Sequence, residues 1–418
     1  MVLVTEYQQL CSEASTIVPP RCKVIPANIF DAITNLLQNG KTVEQYRDLF
    51  EIKYRDGTQI LVAKNYVGTI AFKDGGILEI LPKTAREDEK ISRALFLKML
   101  RVVYNVPYIN TGLSQLNIEK NPPFEIFIMM FLEEISKLNA IGYRCVYNEV
   151  CDNCTSLRGR IDFPNHIKNN IVHQEKFFVK YEEYNLNCPE NRIIKATLQF
   201  LSEISMSFEN RMRINALLPA FDSIPPSTNP DNDFQSIQSE RGTGHYRVAL
   251  QWCRFFLNNT TFTTFAGENV AYSYLFKMDG LFELYIGKLV KKSVETRYKG
   301  FRVFLQHELS LFDKGCRTNF TIRPDIYIHN DVTNETYIVD TKWKMVREKG
   351  YAIEDMYQMF AYSCRCSTIQ TSLVYPKISN ETSGEWNNSK NYVSIKSHFV
   401  DLLSDDAIDN LVDSIFSE

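Results

Sequence analysis

Two short segments in the last third carry residue types that can do chemistry together: Arg323-Pro324-Asp325 and, after a turn, Val339-Asp340-Thr341-Lys342. If both lie on strands, successive side chains point to opposite faces, so Asp340 and Lys342 share one face, looking into a cleft, and Thr341 points away. Neighbouring strands run about 4.8 Å apart, which sets Asp325 beside Asp340 if the register allows. Two carboxylates and one amine then converge. Adjacent carboxylates repel and desolvate each other, and hard oxygen donors of this kind suit Mg²⁺. A metal held by Asp325 and Asp340 would act as Lewis acid, while Lys342 would orient or help deprotonate a water and offset charge developing on a phosphate. The chemistry is metal-dependent phosphodiester hydrolysis. An arbitrary Asp-x-Lys is more often a solvent-facing polar pair on a hairpin. Three features favour catalysis here: Tyr337, Ile338 and Val339 form a buried type of strand run, the first acid follows Arg323-Pro324, and the strands lie between a helix containing Glu283 and one containing Gln358.

The elements that must position this set follow from local pattern. The last third reads as helix Tyr274 to Lys292, strands Phe301 to Glu308 and Asn319 to His329, a turn at Asn330 to Asn334, strand Thr336 to Trp343, helix Ile353 to Arg365 and strand Thr368 to Tyr375. After a polar stretch, Ser379 to Lys390, come a strand Tyr392 to Lys396 and a helix Ser404 to Phe416. From Thr42 to Ile80 short alternating runs are punctuated by turns at Arg55-Asp56-Gly57 and Asp74-Gly75-Gly76, which predicts a small antiparallel sheet or barrel ended by Pro82. The middle is mostly helical in period: Leu95 to Val106, Phe124 to Ile141, Ile193 to Ile214 and Tyr246 to Leu257, with a proline-rich loop at Asp222 to Asp233.

This order of helix, three strands, helix and strand resembles the core of the PD-(D/E)xK nucleases. A narrower resemblance rests on Leu157-Arg158-Gly159-Arg160-Ile161-Asp162-Phe163, Asn191-Arg192-Ile193-Ile194-Lys195, Arg323-Pro324-Asp325, Asp340-Thr341-Lys342 and Tyr357-Gln358-Met359-Phe360-Ala361-Tyr362. In that order they look like the signature of the McrC family, nuclease subunits of modification-dependent restriction systems. Tyr66-Val67-Gly68-Thr69-Ile70 and Leu78-Glu79-Ile80-Leu81-Pro82-Lys83 are similar to its longer members. The resemblance implies a catalytic subunit that docks on a hexameric McrB-like AAA+ GTPase, stimulates GTP hydrolysis and cuts double-stranded, methylated DNA with Mg²⁺ or Mn²⁺. It implies Asp325 and Asp340 as metal ligands, Lys342 as catalytic lysine, Glu283 as upstream acid (with Asp279 and Glu295 nearby) and Gln358 as an active-site polar residue.

Composition fits this. The chain has 418 residues, 44% hydrophobic and 23% charged, with a net charge of −3, which argues against indiscriminate coating of nucleic acid but allows a local basic cleft. Such a cleft is expected from Lys288, Lys291, Lys292, Arg297, Lys299 and Arg302, candidates for DNA phosphates, although a solvated helix end explains them nearly as well. Ten cysteines are too sparse for a disulfide scaffold. Cys151 and Cys154, followed by His166 and His173, have spacing unlike a zinc finger. Arg158 and Arg160 fit a tight turn with projecting guanidinium groups, or pairing with Glu182 or Glu183, and Asn191-Arg192 fits a helix start. No phosphate-binding Gly-x₄-Gly-Lys-Ser/Thr loop occurs, so any NTPase activity must come from a partner. With no membrane-length apolar run and no signal-like N-terminus, the chain is expected in the cytoplasm. The expectation is a multidomain α/β protein: a β-rich N-terminal partner-docking module (residues 1–94), a largely helical middle (95–264) and a PD-(D/E)xK restriction-endonuclease-like domain with a mixed sheet flanked by helices (265–418). Its rivals are a stand-alone repair or recombination nuclease and a non-catalytic subunit docking on a GTPase ring.

Overall fold

The structure, a computed structural model, describes residues 1–39, 48–83, 88–104, 122–237, 244–257, 270–312, 320–346, 350–366, 368, 370–378, 381–388 and 393–417. The predicted strand region before Asp48, the boundary near Phe265, parts of the polar stretch and Tyr392 lie outside these residues. In chain order the elements are β1 (Val2–Thr5), β2 (Gln9–Ser12), β3 (Cys22–Ile25), α1 (Ala27–Asn39), β4 (Phe50–Arg55), β5 (Thr58–Ala63), β6 (Tyr66–Phe72), β7 (Ile77–Leu81), α2 (Glu89–Tyr104), α3 (Pro123–Ile141), β8 (Val146–Cys154), β9 (Arg160–Ile161), α4 (Phe163–Asn170) and β10 (Phe177–Asn185). They continue with α5 (Pro189–Ile204), α6 (Phe208–Leu217), α7 (Pro230–Ser236), α8 (Arg247–Leu257), β11 (Val270–Lys277), α9 (Met278–Arg297), β12 (Phe301–Leu305), β13 (Leu309–Ser310), β14 (Thr321–Ile322), β15 (Ile326–Asn330), β16 (Thr336–Thr341), α10 (Ile353–Cys366), β17 (Gln370–Pro376), β18 (Glu385–Asn388), β19 (Val393–Val400) and α11 (Ala407–Phe416).

The chain is a mixed α/β protein of two compact units, one combining residues 1–123 with 261–418, the other residues 124–260. In the first unit, sheets β1-β7-β6-β11 and β3-β2-β5-β4 share a core with α1 that includes Leu10, Phe30, Leu61, Phe72 and Leu275. The segment expected to open a helix at Tyr274 is instead the end of β11. Tyr274, Leu275 and Phe276, all buried, complete the sheet against β6, and the helix starts only at Met278. Gly68 makes this pairing possible. Its φ is +139°, and a Cβ there would lie 1.9 Å from the Tyr274 carbonyl oxygen, so no larger residue fits.

The six-stranded sheet of the same unit runs β12-β15-β16-β17-β19-β18. β12, β15 and β16 are antiparallel neighbours, whereas β16, β17 and β19 are parallel, so α10 is the crossover between β16 and β17. The run Ile338-Val339-Asp340-Thr341 is buried throughout because β16 is central. Helix α9 packs on β12 and β16, and α10 packs on β16, β17 and β19. On α10, Asp355, Met359, Tyr362 and Ser363 are buried, the i, i+4, i+7, i+8 stripe of a helix facing a core. The single strand expected from Asn319 to His329 is two strands broken at Arg323-Pro324-Asp325, since proline has no amide to give a ladder.

The second unit holds α3, α5, α6 and α8 where the helical pattern indicated, but also α4 and a sheet β8-β10-β9 that the pattern did not show. It also holds α7, which starts inside the stretch Asp222 to Asp233 expected to be a loop, because Pro230 opens a helix capped by Asn229. The expected helix Ile193 to Ile214 is two helices, with Ser207 capping the second by accepting from the Asn210 amide at 3.3 Å. Gly159 has φ +59°, and a Cβ there would meet the Lys180 carbonyl oxygen at 2.3 Å. Asn191, Arg192 and Lys195 hold this unit together. Asn191 bridges the Arg144 and Leu186 carbonyls and accepts from the Tyr246 hydroxyl, Arg192 pairs with Asp233 at 2.6 Å, and Lys195 donates to the Phe221 and Ile224 carbonyls.

Candidate active site

Register brings the two acids together. Ile326 faces Val339 across β15 and β16, so Asp325, one residue before the strand, comes level with Asp340. Lys342 follows β16 by one residue and stays tied to the sheet by its amide, which donates to the Val374 carbonyl at 2.8 Å. Asp340 and Lys342 share a face, and the Lys342 Nζ lies 2.5 Å from Asp340 Oδ2. That oxygen takes no aligned hydrogen bond from the described residues, so its compensation is ionic. Lys342 Nζ also donates to Gln358 Oε1 at 2.9 Å, and Gln358 Nε2 donates to the Tyr362 hydroxyl at 2.7 Å. Tyr362 in turn donates to the Arg323 carbonyl at 3.1 Å, closing a chain from the lysine to the segment that carries Asp325.

Asp340 does not line an open cleft as expected. It is 1% exposed, because the central strand is covered by α10. Burial pushes its carboxyl up to about 7, the charge of Asp325 adds to the rise, and Lys342 opposes it. Burial works against the charge of Lys342, but the Asp340 carboxylate, with the charges of Asp325 and Asp355, raises the lysine above its ordinary value. Glu283, on α9, is raised by burial and then by the charge of Asp325, which lies within hydrogen-bonding reach. Its neighbours are engaged elsewhere, Asp279 accepting from Asn65 and Glu295 pairing with Lys291.

Thr341 departs from the expected geometry. Its amide and its hydroxyl both donate to Asp325 Oδ2, each at 2.7 Å. Strand alternation does turn Thr341 away from Asp340, but Asp325 stands outside the ladder after Pro324 and its carboxylate swings to that side. Gln306 is a second residue that sequence reasoning missed. Its amide donates to the Asp325 carbonyl at 2.9 Å, its side chain donates to Glu283, and its φ is +51°. Left-handed backbone at a non-glycine residue is uncommon and collects at functional sites, but no sequence pattern marks it. Asp355, one turn before Gln358, is a further buried carboxylate, held by Lys344 at 2.8 and 3.0 Å.

The oxygen donors are Asp325, Asp340 and Glu283. Among the described residues no group of three or more His, Cys, Asp or Glu side chains is arranged as a metal cage. Asp325 and Asp340 are the residues that could hold Mg²⁺, an ion commonly bound by one or two carboxylates with water completing its shell, and the charge of Asp325 adds to the rise at the desolvated Asp340. The basic residues lie apart from this set. Lys288 is half-buried, its charge disfavoured by burial, and donates to the Val103 carbonyl at 2.6 Å. Arg297 pairs with Asp409 and Asp413, Arg302 pairs with Asp331, Lys291 pairs with Glu295, and Lys292 and Lys299 are exposed. In the second unit, Cys154 donates to Asp152, His166 Nδ1 accepts from the Phe178 amide at 3.2 Å, His173 contacts Glu175, and Arg160 pairs with Glu149.

Comparison with known proteins adds the following. A family model described as McrBC 5-methylcytosine restriction system component matches residues 61–376. No curated protein sequence matches significantly. Among solved structures, a chain of the refined half-complex from the tetradecameric assembly of Thermococcus gammatolerans McrB AAA+ hexamers with bound McrC superposes with a TM-score of 0.70, at 18% identity, over 99% of this chain and 98% of its own. A chain of the cryo-EM structure of the Thermococcus gammatolerans McrBC complex gives a TM-score of 0.50 at 20% identity, over 70% of this chain and 88% of its own. At these identities the likeness is one of fold.

Proposed function

Because the chain belongs to the McrBC 5-methylcytosine restriction system component family, we propose that it is the metal-dependent endodeoxyribonuclease subunit of a McrBC-like complex and that its six-stranded sheet is a PD-(D/E)xK nuclease core. The observation that carries the reading is the buried Asp340, ion-paired with Lys342 and level with Asp325. Asp325 and Asp340 are the residues that would hold Mg²⁺ or Mn²⁺, which when bound supplies Lewis-acid stabilisation of phosphate charge.

The chain's own groups do the rest. With its pKa raised beside Asp340, Lys342 holds its proton at neutral pH, so its part is to place a positive charge near the attacked phosphate rather than to act as the base. Gln358 fixes the direction of that ammonium, and Tyr362 fixes Gln358. Glu283, its carboxyl raised by burial and by the charge of Asp325 close by, is the group proposed to accept a proton from water. Thr341 and Gln306 orient Asp325 and Glu283. The exposed Lys292 and Lys299, with Lys291 and Arg302, are the cations proposed to meet DNA phosphates, while Lys288 and Arg297 have structural partners.

In the Thermococcus assembly McrC is bound to McrB AAA+ hexamers, and we extend to this chain a hexameric AAA+ GTPase partner whose GTP hydrolysis it stimulates, with residues 1–94 as the docking module. Methylated double-stranded DNA is the proposed substrate and the cytoplasm the proposed site of action. No described helix is long and apolar enough to cross a membrane. The test is reconstitution with the GTPase. Cleavage of methylated DNA should need both proteins, GTP and Mg²⁺. Cleavage by this chain alone would make it a stand-alone nuclease, and GTPase stimulation without any cleavage would make it a docking subunit.

A further inference from the structure

We infer that Glu6 and Lys83, from the N-terminal strands, are positioning residues for Lys342 and Glu283, acting through a clamp on Trp343. The inference rests on the nuclease reading. Trp343 directly follows Lys342 and is 2% exposed. Its indole Nε1–H is shared between both Glu6 carboxylate oxygens, at 3.1 and 3.0 Å. Glu6 Oε2 also accepts from the Lys83 amide at 3.1 Å, and the Lys83 ammonium donates to the Trp343 carbonyl at 2.9 Å. Trp343 is therefore gripped at its backbone and its ring by two residues 337 and 260 positions away in sequence. On its other side the indole packs on Phe282, with ring centroids 5.2 Å apart, and Phe282 is the neighbour of Glu283 on α9.

The cluster is built at a cost that packing alone does not explain. Glu6 is 3% exposed, and its desolvation lifts its carboxyl to about 7 against the pull of Lys83. An apolar residue of similar volume would fill the space without that penalty. Tyr7 adds strain, holding φ at +61° while its ring lies 4.6 Å from the Lys83 ammonium, which also sits 5.5 Å from the Trp343 ring. What these contacts fix is where β16 ends and how the backbone leaves it, and so where Lys342 stands relative to Asp340. The Lys83 of Leu81-Pro82-Lys83 thus has a physical task far from its own strand.

Trp343→Phe keeps an aromatic ring on Phe282 while removing the indole donor and part of the ring volume, and Glu6→Gln removes the charge at nearly constant shape. Single-turnover cleavage by the full complex, with GTP and Mg²⁺, should slow about 10- to 100-fold in each, the range for small misplacement of a catalytic group. For Trp343→Phe, which lies outside the docking module, the DNA concentration at half-saturation and the GTPase stimulation should stay at wild-type values. The double variant should be no slower than the slower single one, because both act through the same Glu6–Trp343 contact. If Glu6→Gln does not fold, Trp343→Phe carries the test. A folded Trp343→Phe protein that cuts at the wild-type rate would overturn the clamp while leaving the nuclease reading intact. A wild-type chain that cuts no DNA would overturn that reading and the clamp with it.

Discussion

Replacing Asp340 by Asn in metal-free protein should flatten a loss of stability that the wild type undergoes between about pH 4 and pH 7. The carboxyl, ordinarily near 3.8, is raised to about 7 by burial and by Asp325. In that window the unfolded chain has already released the proton and the folded protein still holds it. The folded state binds more protons, so stability falls as pH rises, complete loss being reached above the folded value. About three units at 1.36 kcal/mol each set an upper limit of about 4 kcal/mol, with the opposing pull of Lys342 already contained in the value. Glu6 and Glu283 are raised too and slope the same way, but both remain in the variant, so the difference between the two proteins isolates Asp340. Lys342 titrates above the window. Calorimetric melting in EDTA should therefore show wild type and variant converging near pH 4, with the variant ahead by up to roughly 8 °C at pH 8, at about 2 °C per kcal/mol for a large unit. Mg²⁺ at pH 8 should raise the melting point of wild type and not that of the variant. Parallel curves for the two proteins from pH 4 to pH 8 would refute the placement of a desolvated acid in β16.

Thr341→Val deletes one of two hydrogen bonds to Asp325 and should reduce cleavage about tenfold with a stability loss of about 1 kcal/mol, read by cleavage rate and denaturant titration. Gly159→Ala forces a Cβ into the Lys180 carbonyl at a positive φ and should destabilise the second unit by more than 2 kcal/mol; a melting transition equal to wild type would contradict it. Arg93→Met strips the guanidinium from the fully buried Glu79, to which it is bound at 2.8 and 2.5 Å, and should cost about 3 to 5 kcal/mol in chemical denaturation.

What was legible in the sequence was local. The order of elements from Phe301 to Phe416 could be read because each strand or helix writes its own period, and Asp340 and Lys342 could be set on one face because alternation is a property of a single strand. Sheet β8-β10-β9 escaped because no residue of β8, Val146–Cys154, is buried and its half-buried face mixes Val146 and Val150 with Asn148, so the apolar alternation is too weak to detect. The same holds for β18, a polar edge strand within a stretch read as irregular. Tyr274 to Lys277 were read as the start of a helix because apolar residues continue into α9; only pairing with β6, some 200 residues earlier, makes them the end of a strand. In the site, Thr341 was misjudged because Asp325 leaves the ladder at a proline, and Glu6 and Lys83 were invisible because their partner lies hundreds of residues away.

The central claim is that Asp325, Asp340 and Lys342 form one catalytic set. Its most direct test is cleavage of methylated DNA by Lys342→Ala, assembled with the GTPase partner, GTP and Mg²⁺, alongside a melting curve. Lys342→Ala should fold, bind its partner and stimulate GTP hydrolysis, yet cut at least ~10²-fold more slowly than wild type, the scale of losing one well-placed electrostatic group. Cleavage at the wild-type rate by the folded Lys342→Ala complex would contradict the account.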